Sequence, residues 1–268
     1  MATVYVPGAF LKADMDELVC GKFEGLMAEL LSKIDRKIYE KYVVIESGQT
    51  VLYAALAHLL YGTLRVSLLF WSKLTGILID NGYKIIPYDW CMSNKEFIGS
   101  QWTVVWQVDD LKRSHLIDNV LTAEIKITNR VFGRQDNPLT DHRGKSHDYL
   151  GMTINYSLHE KVNINMFDYI EGFLREIPSS LKYDSVTAAA NHFFEVGDDA
   201  PMLQPNDTKL CYHNVMRLLW LAKRNFPDLL QPLSYFTTCV QSLNIHDWKK
   251  LARTCKYLLR TRNLPLIL

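Results

Sequence analysis

The spacing of apolar residues predicts that short strands alternate with helices along the first half of the chain. Four apolar, β-branched runs predict strands, over residues 3–6, 42–45, 50–53 and 102–106. A turn at Ser47-Gly48 would join the second and third runs as a hairpin. Residues 65–81 have helical spacing and end at Asn81-Gly82. The predicted apolar face of this helix comprises Leu68, Leu69, Trp71, Leu74, Ile77 and Leu78.

The rest of the pattern mixes helices with antiparallel hairpins. Helices are predicted over 23–34, 114–132 and 168–177, and short strands over 83–86 and 90–92, the latter beside 102–106. Apolar and polar residues alternate over 149–154 and 162–166, which predicts the two strands of a second hairpin. Three helical stretches follow, over 208–225, 229–242 and 247–261. This order predicts an α+β fold that is followed by a helical module.

Composition adds an asymmetry of charge. The 268 residues carry a net charge of +1, but residues 205–268 hold ten basic and three acidic side chains, which leaves a net charge of −6 on the remainder. Such a basic module suits a polyanionic partner, and a solvated basic helix face is the alternative. Five scattered cysteines without a C-x-x-C pair indicate a reducing compartment. We expect a soluble intracellular protein, cytoplasmic or nuclear, with no membrane partner.

Two adjacent carboxylates, Asp109 and Asp110, follow the predicted strand 102–106. Such a pair repels itself and resists full ionisation unless a cation neutralises it. Mg²⁺ is a hard cation that prefers oxygen ligands, and a carboxylate pair is one half of the two-metal centres of phosphoryl-transfer enzymes. The alternative is an exposed turn with two solvated acids.

Several segments, in order along the chain, resemble the conserved blocks of copia-type retrotransposon reverse transcriptases. They are Ala9-Phe10-Leu11 with the acidic stretch to Glu17, Leu60-Tyr61-Gly62-Thr63-Leu64-Arg65 leading to Trp71, Asp89-Trp90-Cys91, Gln107-Val108-Asp109-Asp110-Leu111, Asp148-Tyr149-Leu150-Gly151, Tyr212-His213-Asn214-Val215 and Lys256-Tyr257-Leu258. The corresponding family blocks are AFL, LYGLKQ with a following W, DpC, YVDDL, yfLG, Yrsav and RYLkGT. The shared order is more specific than any single block.

The resemblance implies a right-hand polymerase palm, an antiparallel sheet packed on helices, followed by a helical thumb. The palm would cover residues 1–178, with the fingers largely missing, a linker would cover 179–205, and the thumb 206–268, with the RNase H domain absent. The implied activity is that of an RNA-directed DNA polymerase, a nucleotidyltransferase that adds a deoxynucleotide to a primer 3′-hydroxyl on an RNA or DNA template. Asp109 and Asp110 would bind the catalytic Mg²⁺, or Mn²⁺.

The resemblance also implies roles for residues outside the carboxylate pair. Gly62 and Arg65 would lie near the incoming nucleotide and template, and Tyr149 and Gly151 near the primer end. The residues expected to contact the nucleic-acid backbone, with affinity that falls as salt rises, are Lys223, Arg224, Lys249, Lys250 and Arg253. The alternatives are an ordinary turn at Gly62 and a core strand over 149–154.

One departure bears on activity. The family has a third metal-binding Asp four residues before Ala9, where this chain has Tyr5. A phenol with a pKa near 10 is a poor Mg²⁺ ligand, so we expect the rate to fall by a factor on the order of a thousand or more. The alternative function is therefore a non-catalytic nucleic-acid-binding or inert remnant of a transposable element. Without fingers, we expect Phe70 and Trp71 to be exposed.

Overall fold

The computed structural model describes residues 1–58, 65–133, 137–177, 185–195, 200–240 and 242–268. The chain divides into two compact units, Met1–His142 and Arg143–Leu268. The first hydrophobic core draws its residues from positions 2–139 and the second from positions 152–259, so each unit has a core of its own.

The first unit mixes strands with helices. The strands are β1 (Ala2–Tyr5), β2 (Cys20–Glu24), β3 (Val43–Glu46), β4 (Gln49–Ala55), β5 (Lys84–Ile86), β6 (Asp89–Phe97), β7 (Ser100–Gln107), β8 (Asp110–Ser114) and β9 (Thr140–Arg143). The helices are α1 (Leu26–Ile34), α2 (Arg36–Tyr39), α3 (Val66–Asp80) and α4 (Asp118–Phe132). Two 3-10 turns cover Ala9–Lys12 and Glu40–Tyr42.

A six-stranded sheet in the order β5-β6-β7-β8-β1-β9 forms the centre of this unit. The strands from β5 to β1 pair in antiparallel fashion. Helices α3 and α4 supply buried residues to the core that covers one face of the sheet, including Phe70, Leu74 and Leu121. Successive side chains of a strand point to opposite faces of the sheet. Val4, Leu111 and Trp106 lie in one cross-strand row, so they share a face, and all three are buried.

A second, three-stranded sheet has the order β2-β4-β3. The predicted turn at Ser47-Gly48 is confirmed, with φ angles of 51° and 79° that match a two-residue hairpin turn. The helix predicted over 23–34 is wrong at its start. Residues up to Glu24 belong to strand β2, and α1 begins only after Gly25, whose φ of 57° interrupts the backbone.

Two other predictions in this unit need correction. The helix predicted over 114–132 begins at Asp118, because Asp110–Ser114 completes the hairpin as strand β8. The predicted helix over 65–81 is confirmed as α3, but its buried face contains Phe70, which is 1% exposed, whereas Leu68 is 52% exposed. Apolar residues surround this helix on several sides, so its periodicity does not single out one face. The expectation that Phe70 is exposed is therefore also wrong.

The second unit packs four helices with a small antiparallel sheet. The strands are β10 (Ser146–Tyr149), β11 (Met152–Asn155), β12 (Asn163–Asn165) and β13 (Leu266–Ile267), which pair in that order. The helices are α5 (Phe167–Glu176), α6 (Pro205–Ala222), α7 (Leu230–Cys239) and α8 (Ile245–Thr261), with a 3-10 turn at Pro227–Leu229. All three helices predicted after residue 205 are confirmed within a few residues. The second hairpin is confirmed as the pairing of β11 with β12, but the strand predicted over 149–154 is wrong at its start, because Leu150 and Gly151 form the turn that follows β10.

The contact-based division lies at His142, earlier than the predicted palm boundary at 178. The second hairpin and α5 therefore belong to the same unit as the helices after residue 205. Phe193, within the predicted linker 179–205, is buried in the core of this unit, while residues 178–184 and 196–199 lie outside the described part of the chain. The α+β class is confirmed. No helix in the described ranges combines the length and apolarity needed to cross a bilayer.

Candidate functional site

The carboxylate pair lies at the tight turn between β7 and β8. Gln107 pairs with Asp110, which leaves Val108 and Asp109 as the two residues of the turn. Val108 has a φ of 54°, a left-handed conformation that is strongly disfavoured for a β-branched residue. Such strained backbone costs on the order of 1–3 kcal/mol and is concentrated at functional sites. The prediction that the strand ends and turns at the carboxylates is confirmed.

Strand β1 places Tyr5 directly beside this turn. Tyr5 and Asp110 are Cα partners in the antiparallel pairing of β1 with β8. The amide of Val6 donates to the carbonyl oxygen of Asp109 at 2.9 Å, which holds β1 against the turn. Because directly opposite residues project to the same side of a sheet, the phenol and the Asp110 carboxylate share one face.

That face of the sheet is polar and is the one opposite to the helix-packed core. It contains the row Tyr5, Asp110 and Gln107, of which Tyr5 is 43% exposed. The next row includes Lys112, which pairs with Thr3 on one side and Val105 on the other. In the intervening row, which faces the helices, Val4, Leu111 and Trp106 are each at most 2% exposed. One face of the sheet thus packs against the helices, and the other face is polar.

The environment of Asp110 resists ionisation. Partial burial raises the pKa of its carboxyl group, and the neighbouring charge of Asp109 raises the pKa further. Both causes disfavour the ionised form of the carboxyl group.

Asp109 and Asp110 have the donor chemistry of a Mg²⁺ site but fall short of a two-metal centre. Hard cations require several oxygen ligands, and the position that faces Asp110 across the sheet holds a phenol. Within the described residues, no group of three or more His, Cys, Asp or Glu side chains is placed to hold a metal ion. The described residues at this turn therefore do not supply the ligand set of a two-metal centre.

The proposed nucleotide and primer residues have separate surroundings. Gly62 lies outside the described residues, whereas Arg65, just before α3, forms ion pairs with Asp16 at 2.7 Å and Glu17 at 3.8 Å. Tyr149 is buried at the end of β10. Gly151, with a φ of 76°, belongs to the turn that joins β10 to β11. Both primer candidates belong to the second unit.

The five basic candidates in the second unit fall into two groups. Lys249, Lys250 and Arg253 line one cavity of about 720 Å³ together with Lys256. Lys250 is engaged internally, since its Nζ donates to the carbonyl of Glu195 and to the hydroxyl of Tyr235, each at 2.7 Å. Arg253 donates to Thr187 at 2.8 Å.

The other two basic candidates lie at the end of α6. Lys223 is exposed. The guanidinium of Arg224 stacks 3.1 Å from the centre of the Trp220 ring, and partial burial lowers its pKa. Of the five, Lys223 and Lys249 have the most exposed positions.

An aromatic cavity, which the sequence pattern does not predict, lies beside the carboxylate turn. This cavity, which we call the tryptophan slot, has a volume of about 400 Å³. It is lined by Ser67, Leu68, Phe70, Trp71, Trp90, Cys91, Trp106, Gln107 and Val108. Four tryptophans within one 36-residue stretch were the available signal, but only pairing of β6 with β7 and packing of α3 bring Trp71, Trp90 and Trp106 together.

No protein-family model matches the chain, and neither the curated proteins nor the solved structures include a significant match to it.

Proposed function

We propose that the chain is a reverse-transcriptase-derived domain of the copia type, with an impaired polymerase site on a palm-like sheet. The observation that carries this proposal is the pairing of residue 5 with Asp110. The family resemblance requires a third carboxylate at residue 5, and strands β1 and β8 place that residue opposite the carboxylate turn. Residues 5 and 110 are far apart in sequence, so periodicity alone does not demand their proximity.

The polar face of the six-stranded sheet supports the same proposal. A polymerase palm must leave one face of its sheet open to nucleic acid while helices cover the other. Here the carboxylate turn lies on the open side, and helices α3 and α4 pack on the other. The proposed partners are a primer with an RNA or DNA template and a deoxynucleoside triphosphate, and the proposed cofactor is Mg²⁺ or Mn²⁺.

Primer extension tests this proposal. With Mg²⁺ or Mn²⁺, we expect extension by the native chain to be near background and extension by Tyr5→Asp to be faster by a factor on the order of a thousand, because a metal-binding carboxylate is restored. Tyr5→Phe is the matched control. It keeps the ring, adds no carboxylate and should remain as slow as the native chain.

Two results would contradict the proposal. Equal extension by the native chain, Tyr5→Phe and Tyr5→Asp would show that residue 5 does not occupy a metal-ligand position. A folded Tyr5→Asp variant that still fails to extend any primer would argue against a polymerase site. In the second case, the carboxylate turn would be an ordinary solvated turn.

The basic cavity of the second unit favours a second candidate function, non-catalytic binding of nucleic acid. Lys249, Lys250, Arg253 and Lys256 line that cavity and provide a concentrated positive charge. Binding to a primer–template without extension, with affinity that falls steeply as salt rises, would support this function. Lys249→Gln should reduce the salt dependence by about one phosphate contact.

A further inference from the structure

The tryptophan slot is built from rings that hydrogen bonds hold in place. The indole N–H of Trp71 donates to the carbonyl of Trp90 at 2.8 Å, and the indole N–H of Trp90 donates to the carbonyl of Pro87 at 3.2 Å. The two rings stack, with centroids 5.9 Å apart and planes inclined by 29°. Both indoles thus use their polar edges internally, while Trp90 remains 66% exposed.

A third tryptophan that lines the slot has an unsatisfied hydrogen-bond donor. Trp106 lines the slot and is only 2% exposed, and its indole N–H has no hydrogen-bond partner within the described residues. A buried donor without an acceptor costs on the order of 1–3 kcal/mol, so a ligand that brings an acceptor gains from pairing with it. A suitable ligand combines a flat aromatic face with an acceptor on its edge.

We propose that the tryptophan slot binds one unpaired base of a single-stranded nucleic acid. A base offers a π-face for the indole of Trp90 and ring nitrogen or carbonyl acceptors for the indole N–H of Trp106. The location supports this choice, because Val108, which lines the slot, directly precedes Asp109. The choice of nucleic acid over another aromatic ligand rests on the proposed function.

A second exposed ring lies close to Trp90 in the sequence. Tyr88, in the turn between β5 and β6, is 89% exposed and lies two residues from Trp90. Successive aromatic side chains are the usual platform on which neighbouring bases of a single strand stack. Sequence preference is expected to be weak, because stacking reads a face that all bases share.

The test uses the full chain and a short single-stranded DNA oligonucleotide that carries one 2-aminopurine. Stacking of this base quenches its fluorescence, so titration without divalent cations reports binding in the slot rather than polymerisation. We expect quenching by the native chain and a loss of affinity of roughly fivefold or more in Trp90→Ala. Trp90→Phe should retain most of the affinity, because it keeps an aromatic face.

Two further variants distinguish a loss of binding in the slot from misfolding and from the removal of an unrelated exposed ring. Leu68→Phe adds bulk at another residue that lines the slot while Trp90 stays in place, so it should also weaken binding. Tyr42→Ala removes a ring that is 50% exposed outside the slot and should bind like the native chain. Circular dichroism confirms that each variant is folded.

The base-binding proposal is overturned if the native chain does not quench 2-aminopurine, or if folded Trp90→Ala and Leu68→Phe bind the oligonucleotide as tightly as the native chain. Quenching of tryptophan fluorescence by an aromatic peptide but not by the oligonucleotide would also overturn it, in favour of a protein ligand. Failure of primer extension leaves this result untouched, since the titration needs neither metal nor catalysis. Conversely, extension by Tyr5→Asp with unchanged binding by Trp90→Ala would reject the slot alone.

Discussion

At the scale of single residues, a phenol at position 5 faces a carboxylate whose neighbour along the chain is also a carboxylate. The pairing of β1 with β8 fixes this arrangement, and the strained backbone at Val108 turns the chain immediately before the two acids. The pKa of Asp110 is raised because its ionised form is partly buried and next to Asp109. Ionisation of Asp110 at neutral pH therefore lowers the free energy of unfolding.

This charge predicts a pH-dependent effect of Asp110→Asn. Because the folded state raises the pKa of Asp110, its contribution to the free energy of unfolding is most favourable below the ordinary carboxyl pKa and declines as pH rises through the folded value. At neutral pH without divalent cations, Asp110→Asn should melt at a higher temperature than the native chain. The difference should shrink on acidification, as thermal melts across this pH range would show.

Glu96→Gln is the control for this prediction, because Glu96 is an exposed carboxylate on strand β6 of the same sheet. It should produce little pH-dependent change. Added Mg²⁺ should raise the melting temperature of the native chain more than that of Asp110→Asn, since the variant lacks one of the two carboxylates that would bind the ion. A lower melting temperature for Asp110→Asn at neutral pH would contradict this account of the turn.

At the scale of elements, buried charge connects the sheet to helix α4. Arg113 on β8 is fully buried and donates to the hydroxyl of Thr128 at 2.6 Å. Glu124 on α4 is 5% exposed and attracts both Arg113 and Lys95, whose Nζ lies 3.8 Å from its carboxylate. Burial raises the pKa of Glu124 and lowers that of Arg113, so each group depends on the other's charge.

Glu124→Ala should destabilise the chain by about 1–3 kcal/mol, because it removes the carboxylate that attracts the buried Arg113 guanidinium and the Nζ of Lys95. Chemical denaturation measures the change. Glu96→Ala, on an exposed position of β6, should alter the free energy of unfolding by no more than about 0.5 kcal/mol. Equal effects of the two substitutions would show that the buried charges do not stabilise the packing of α4.

Local signals predicted many of these elements. The Ser47-Gly48 hairpin, helix α3 and the helices after residue 205 follow from turn chemistry and periodicity within each segment. Strand β2 was missed because only its last two residues, Phe23 and Glu24, fall within the periodic stretch, and Cys20-Gly21-Lys22 contains no β-branched residue. Strand β13 was missed because two residues, Leu266 and Ile267, become a strand only by pairing with β12.

The candidate site was predicted only in part, because only some of its residues are neighbours in the sequence. The sequence identifies the carboxylate pair and the phenol at residue 5, and the end of β7 at the turn is confirmed. The tryptophan slot was missed, because Trp71, Trp90 and Trp106 converge only through tertiary packing. The apolar face of α3 was misassigned at Phe70, because a helix with apolar residues on several sides can bury more than one of them.

At the scale of the whole molecule, the two units have separate cores. Leu74 and Leu218 are each fully buried, one in the core of Met1–His142 and the other in that of Arg143–Leu268. The charge asymmetry of the sequence follows this division only in part, because the second unit begins well before the basic stretch at residue 205.

Leu74→Ala and Leu218→Ala form a matched pair that tests the separate cores. Each should destabilise its unit by about 2–5 kcal/mol through lost burial and a residual cavity. Hydrogen exchange read by mass spectrometry should show faster exchange mainly in the unit that carries the substitution. Faster exchange throughout both units in either variant would show that the two cores unfold as one.

The most direct test of the central claim, that residue 5 occupies a metal-ligand position beside Asp109 and Asp110, is a titration with Mn²⁺ followed by electron paramagnetic resonance. The account predicts weak binding by the native chain and by Tyr5→Phe, and binding tighter by roughly tenfold or more in Tyr5→Asp, because a third carboxylate joins the two at the turn. Identical binding by all three chains would contradict it.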